Sequence, residues 1–129
     1  LQGDSIESDL NQRDFTFNAM AILLKNFIKG TENFIDPHNG KDDIKNKIIR
    51  VLPDSAFLND PLRMLRAFRF MSVIGFKIEC NTFSKIKKLK TKINLVAPER
   101  IFYELNLLCL AFIEKHTHHV VDEQIKKNR

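Results

Sequence analysis

The sequence predicts an α+β fold that is mostly α, in which a helix and a short β-hairpin are followed by a bundle of helices. Three observations carry that reading. From Phe15 to Leu24 the apolar residues are almost continuous after Asp14, which suits a helix buried on most sides. Two short β-rich runs, at 33–37 and 47–52, flank a turn-rich stretch containing His38, Asn39 and Gly40. From Asp60 onward, apolar residues recur at threes and fours as far as Phe112.

Taken in order, the first twelve residues, with Asp4, Glu7 and Asp9 among small polar neighbours, read as a loop. Asp14 then stands at the N-terminal end of a helix reaching about Lys25. The two β runs are expected to pair as a hairpin around a helical turn at 42–44. Asp36, Pro37 and Gly40 are structural there, because the turn needs one rigid φ and one permissive φ. Asp60 and Pro61 supply an N-cap and a first helical residue whose missing N–H costs nothing, and Gly75 supplies the stop. Along that helix Leu62, Leu65, Phe68 and Met71 form a packed face, with Arg63, Arg66 and Arg69 as a ribbon beside it. A further helix is expected at 82–90. Another begins at Pro98 with Ile101, Phe102, Leu105, Leu108, Cys109 and Phe112 on one face. The polar end, 114–129, has lost the apolar period.

Composition narrows the class. Of 129 residues, 43% are hydrophobic and 29% charged, a globular balance rather than a disordered one. Eleven Phe against no Trp and one Tyr mean that much of the packing is done by rings without polar handles. A net charge of +5, with six Lys facing one Glu between Lys77 and Lys92, favours a polyanionic partner, and Lys85, Lys87, Lys88 and Lys90 are the candidate RNA contacts. The same lysines also suit a solvated helix face. Cys80 and Cys109 give neither a disulfide framework nor CxxC spacing, as suits a reducing cytoplasm. No apolar run approaches the ~20 residues of a membrane span, and the polar start is no signal peptide. No phosphate loop of the P-loop kind and no Ser-His-Asp or Cys-His set is present. His116, His118 and His119 lie in the polar end without a further ligand, which favours solvated histidine over a metal site.

Asp60 and Arg63, three residues apart on one helix, have a spacing with chemical meaning. A carboxylate accepts from an exocyclic amine and a guanidinium donates in a fixed fork, so together they can imitate the pairing edge of a base. The same spacing also suits a plain cap with a local ion pair.

Three ordered segments carry a resemblance. Asp9-Leu10-Asn11-Gln12-Arg13-Asp14-Phe15-Thr16-Phe17-Asn18-Ala19-Met20-Ala21 is similar to DLxRRDFTINAMA. The stretch from Ile35-Asp36-Pro37 through Gly40 and Asp43-Ile44 to Ile49-Arg50-Val51 resembles DPxxGxxDL…IRV. Phe57-Leu58-Asn59-Asp60-Pro61-Leu62-Arg63-Met64-Leu65-Arg66-Ala67-Phe68-Arg69-Phe70 resembles FxEDPLRxLRAxRF. Glu99-Arg100-Ile101 with Glu104-Leu105 looks like the ERI..EL helix that follows them. These motifs resemble the class II tRNA nucleotidyltransferases, or CCA-adding enzymes, and the bacterial poly(A) polymerases.

The resemblance implies a partial nucleotidyltransferase head at 1–52, a helical neck that selects nucleotides and binds RNA at 53–113, and a polar tail at 114–129. It implies addition of CCA, or part of it, to tRNA 3′ ends from CTP and ATP without a nucleic-acid template. Poly(A) tailing, or a noncatalytic helical RNA-binding module, is the alternative. Asp60 and Arg63 would act as the protein template. Arg13, Asp14 and Asn18 would contact sugar and phosphates, while Arg66 and Arg69 would touch phosphate or brace the template residues. Gln12 and Asn59 stand where the family has Arg and an acid, which removes charge and retains hydrogen bonding. The family's glycine-serine loop and DxD carboxylates, which hold Mg²⁺, belong upstream of the first motif, so the 129 residues alone are expected to be inactive.

Overall fold

The computed structural model describes residues 5–31, 33–53 and 55–127, with side chains as far as Lys115. The side chains of His116, His118 and His119 therefore lie outside the described residues. The stretch expected as a leading loop contains a short helix, α1 (Ile6–Asn11), whose N-cap Ser5 accepts from the Ser8 N–H at 3.2 Å.

The helix expected from Asp14 to Lys25 does not form. A 3₁₀ turn covers Thr16–Asn18, and β1 (Ala21–Ile22) and α2 (Leu24–Ile28) follow it. Tertiary pairing decides this. Phe15 is extended (φ −135°, ψ 152°) and bridges Val51 in antiparallel fashion. Around it the Thr16 N–H donates to the Arg50 carbonyl at 3.1 Å and the Leu52 N–H to the Asp14 carbonyl at 2.8 Å. A run whose apolar residues are unbroken from Ala19 to Leu24 has no clear period with which to choose between helix and strand. Its burial is also uneven, since Phe15 and Ala19 are fully buried whereas Leu24, Phe27 and Ile28 are exposed.

Both expected strands are present as β2 (Phe34–Ile35) and β3 (Ile48–Ile49), but they do not pair with each other. β2 pairs antiparallel with β1, Ala21 opposite Ile35, and this is the short antiparallel pair of the fold. β3 lies parallel to β4 (Lys77–Ile78), with Ile49 opposite Ile78. Between β2 and β3 the helical turn becomes α3 (Gly40–Lys45), and Asp36 caps it by accepting from the Gly40 and Lys41 N–H groups at 2.7 and 2.9 Å. The permissive φ expected at Gly40 falls instead at Asn39 and Lys47, both at 56°. Gly40 is required for another reason: a Cβ there would stand 2.2 Å from the Thr16 carbonyl oxygen.

Apart from β4, the second half is mainly helical. After α4 (Ala56–Asn59), α5 (Leu62–Ile74) begins one residue later than the sequence reading placed it, with the Asp60 carboxylate still accepting the Leu62 N–H at 3.3 Å. Gly75, at φ 73°, ends α5 by donating its N–H to the Met71 carbonyl at 3.1 Å. α6 (Cys80–Leu89) is capped by Glu79 and passes through a 3₁₀ turn, Lys90–Leu95, into α7 (Pro98–Lys127).

α7 packs along α5, through only part of the face expected. Ile101, Glu104, Leu107, Leu108 and Ala111 are turned from solvent, whereas Phe102 and Phe112 are 68% and 57% exposed. Buried Glu104 finds its cationic partners on α5, and that requirement sets the rotation of α7 about its axis. The core joins both halves of the chain, because Phe15, Ile49 and Val51 cluster with Ala56, Phe57, Met64, Ala67 and Ile86. Phenylalanines complete it: Phe17 stacks on Phe15 at 5.8 Å and meets Phe70 edge-on at 5.1 Å.

Candidate functional site

The three arginines of α5 reach the Asp14 segment and α7, with Arg66 and Arg69 sharing Glu104. Arg63 reaches back to the Asp14 segment, its Nη2 donating to the Gln12 carbonyl at 3.0 Å. Arg66 Nε donates to Asp14 Oδ2 at 2.5 Å, and its Nη1 lies 3.5 Å from Glu104 Oε1. Arg69 Nε donates to Glu104 Oε2 at 2.7 Å, with the guanidinium 4.3 Å above the Phe70 ring. Burial pulls the Arg66 pKa down, but the hydrogen bond it donates to Asp14 and the charges of Asp14 and Glu104 outweigh it and leave the guanidinium above its ordinary range. The guanidinium therefore keeps its charge until the pH rises beyond the usual arginine range.

Asp14 is buried and held from two sides, since Asn18 Nδ2 donates to its Oδ1 at 2.8 Å while Arg66 takes Oδ2. Asn18 Oδ1 accepts in turn from the Phe15 N–H at 3.3 Å. Arg13 projects outward, paired only with Asp9 one turn behind it at 2.5 Å. Asp60 and Arg63 do not form the local ion pair that their spacing permits. The cap is present, but Asp60 Oδ2 accepts from Arg100 Nη2 at 2.8 Å.

A second network fixes the segment that carries Asp14. Arg50 donates to both oxygens of Asp43, at 3.0 and 3.1 Å, and to Glu79 Oε1 at 2.9 Å. The hydrogen bond to Asp43 is the main reason the Arg50 pKa lies above its ordinary value. Thr16 Oγ1 donates to Asp43 at 2.6 Å, and Glu79 accepts from both the N–H and the hydroxyl of Thr82. The Val51 N–H then donates to Thr82 Oγ1 at 3.1 Å, so α3, β3 and the head of α6 hold one another.

Sequence reasoning assigned no site role to Arg100, Glu104, Asp43, Arg50 or Glu79. A signal for Glu104 was present, because a lone acid three residues after Ile101 on a helix face needs a partner. Of the candidate RNA contacts, Lys87, Lys88 and Lys90 are exposed and Lys85 is half-buried; the Lys87 ammonium lies 4.8 Å over the Phe83 ring.

Among the described residues no cluster of His, Cys, Asp and Glu could hold a metal ion. Asp14, Asp43, Asp60, Glu79 and Glu104 are each already engaged by a guanidinium. With those partners these carboxylates do not fit a divalent cation.

Comparison with known proteins agrees with the three ordered segments. Residues 2–50 match the poly(A) polymerase head domain, and residues 75–122 match the probable RNA and SrmB-binding site of polymerase A. The CC-adding tRNA nucleotidyltransferase of Halalkalibacterium halodurans is 45% identical over 111 residues, 85% of this chain and 28% of that relative. The chain belongs to the tRNA nucleotidyltransferase and bacterial poly(A) polymerase family. It spans about a quarter of the length of the curated relatives it matches, including an A-adding tRNA nucleotidyltransferase of the same organism that is 40% identical and of which it covers 26%. Among solved structures it is similar to the Bacillus stearothermophilus CCA-adding enzyme in complex with CTP, with a TM-score of 0.73 and 34% identity over 82% of this chain and 26% of that one. As a member of this family, the chain places its seam of arginines and acids where the first and third motif segments meet.

Proposed function

We propose that these residues form the nucleotide-selecting part of a tRNA nucleotidyltransferase, which adds C, A or both to tRNA 3′ ends from CTP and ATP. The observation that carries this reading is the union of the two motif segments: Arg63 reaches Gln12, and Arg66 reaches Asp14. A base read at the head of α5 thereby has its sugar and phosphates beside Arg13, Asp14 and Asn18.

The chemistry of selection follows from the groups themselves. Cytosine and adenine both present an exocyclic amine next to an unprotonated ring nitrogen. Uracil and guanine present a carbonyl next to a ring N–H. Asp60 accepts from the amine and Arg63 donates to the ring nitrogen, so the wrong bases bring acceptor to acceptor and donor to donor. Arg66 and Arg69 hold the seam rigid under this pair. Mg²⁺ would be held by carboxylates that these 129 residues do not supply, as in the family's DxD, and no step is assigned to it here. The division into a head part to residue 52, a selecting and RNA-binding part from 53 to 113, and a polar tail from 114 follows the same reading. A cytoplasmic site of action belongs to the same reading, and Cys80 and Cys109, exposed and not joined in a disulfide, suit a reducing compartment.

The test is incorporation of each of the four nucleotides onto tRNA by Asp60→Ala and Arg63→Ala variants of a full-length chain carrying these residues. Each lost hydrogen bond to a charged group is worth about 1.5 to 3 kcal/mol, so discrimination against UTP and GTP is expected to fall at least tenfold. Unchanged selectivity in both variants would remove the template role.

A further inference from the structure

We infer that the cleft between α5, β4 and the head of α6 takes an unpaired base of RNA, stacked on Phe83, while the lysines beside it meet the phosphates. The inference rests on the RNA-binding role proposed for this part of the chain. The capping of α6 sets the geometry. Glu79 accepts from the N–H and the hydroxyl of Thr82, at 2.9 and 2.8 Å, and that fixes the first turn with Thr82 and Ile86 buried in the core. Phe83 and Lys87, each the next residue along, are thereby turned outward one helical turn apart. The Phe83 ring is 38% exposed, and the Lys87 ammonium lies 4.8 Å over it. Lys90 follows on the same side and is exposed too.

The same ring lines a cleft of about 450 Å³, together with Phe68 and Met71 from α5, Lys77 and Ile78 from β4, and Cys80. That volume lies within the range of small-molecule sites, roughly 300 to 1,000 Å³. A nucleobase presents a flat π-face to such a ring whatever its sequence. The charges around the cleft favour this occupant over an apolar one. Lys77 lines the cleft, Lys87 stands over the ring, and the neighbouring acid, Glu79, has its oxygens engaged by Arg50 and Thr82. An apolar partner gains nothing from these ammonium groups, whereas a single strand of RNA brings a phosphate with each base. A base drawn onto the ring releases the Lys87 ammonium to the phosphate beside it.

Fluorescence anisotropy on a full-length chain carrying these residues measures binding of a short single-stranded RNA, the same strand with abasic sugars in place of its nucleotides, and a blunt RNA duplex, each at several salt concentrations. Phe83→Leu keeps apolar bulk without the ring, and circular dichroism checks its folding. It is expected to weaken the single strand by at least about fivefold, the loss of one stacked base, with an unchanged salt slope. Phe83→Tyr should retain the parent's affinity, and the abasic strand and the duplex should bind Phe83→Leu as they bind the parent. Equal weakening of the abasic strand would overturn the base slot. So would a single strand that binds Phe83→Leu as tightly as the parent; a lowered thermal midpoint alongside that result would mean that protein fills the cleft instead. Lys87→Gln separates this inference from the reading beneath it. A flattened salt slope with Phe83→Leu silent removes the base slot alone, whereas slopes unchanged by Lys87→Gln, with Phe83→Leu also silent, remove RNA contact at this face of α6 altogether. Nucleotide selection is read independently, by Asp60→Ala.

Discussion

Glu104, 4% exposed, accepts from two arginines and links α7 to the residue that holds Asp14. Replacing it with Leu would leave Arg69 partly buried without this counter-charge and Arg66 with Asp14 alone. Breaking a fully buried pair costs about 3 to 5 kcal/mol; Arg66 keeps a third of its side chain in water, so roughly 2 to 3 kcal/mol is expected here. Glu104→Gln keeps the hydrogen-bond acceptor and should cost about half as much. Urea unfolding of the two variants checks the order, and equal midpoints would contradict it. The arginine side of this seam was legible in the sequence, because Arg63, Arg66 and Arg69 recur every three residues along a clear helix. The acid side was not. Glu104 and Arg100 sit in a helix rich in large apolar residues, and which of its faces turns inward is decided by ion pairs that the sequence does not display.

At the level of elements, the two glycines separate two causes of the same intolerance. Gly75 sits at φ 73° in open surroundings, its would-be Cβ 3.7 Å from the Lys115 ammonium, so Gly75→Ala should cost only the left-handed backbone penalty of about 1 kcal/mol. Gly40→Ala would drive a methyl to 2.2 Å from the Thr16 carbonyl oxygen, displacing the segment that carries Asp14. Its thermal midpoint should fall further than that of Gly75→Ala, and the reverse order would refute the close-approach argument. Helices with a cap and a stop were readable from the sequence: α5 from Asp60 and Gly75, α6 and α7 from their apolar spacing. Strand partners were not, since β3 finds β4 almost thirty residues later through only two residue pairs, too few to leave a pattern. The run from Phe15 to Leu24 misled because its burial is set by the bridge to Val51 rather than by its own period. On α6, neutralising Lys85, Lys87, Lys88 and Lys90 to Gln should weaken RNA binding and flatten its salt dependence. Each lost phosphate contact lowers the slope by about 0.7 for single strands or 0.9 for duplex. A titration at several salt concentrations that gives an unchanged slope would make this face simple solvated surface.

For the molecule as a whole, the proposed function divides the work: these residues recognise the nucleotide, and phosphoryl chemistry falls to carboxylates that they do not include. One core joins the two motif segments, so the selecting pair, the arginine seam and the lysine-bearing helix can be carried as one unit. The central claim is tested most directly by primer extension on a tRNA that lacks its 3′-terminal CCA, with CTP, ATP, UTP and GTP supplied singly. The assay compares the 129-residue polypeptide with a full-length chain that also carries the family's upstream carboxylates. The account predicts metal-dependent addition of C, A or both by the full-length chain, little UTP or GTP use, and no extension by the 129 residues alone. Robust extension by the 129 residues, or equal use of all four nucleotides by the full-length chain, would contradict it.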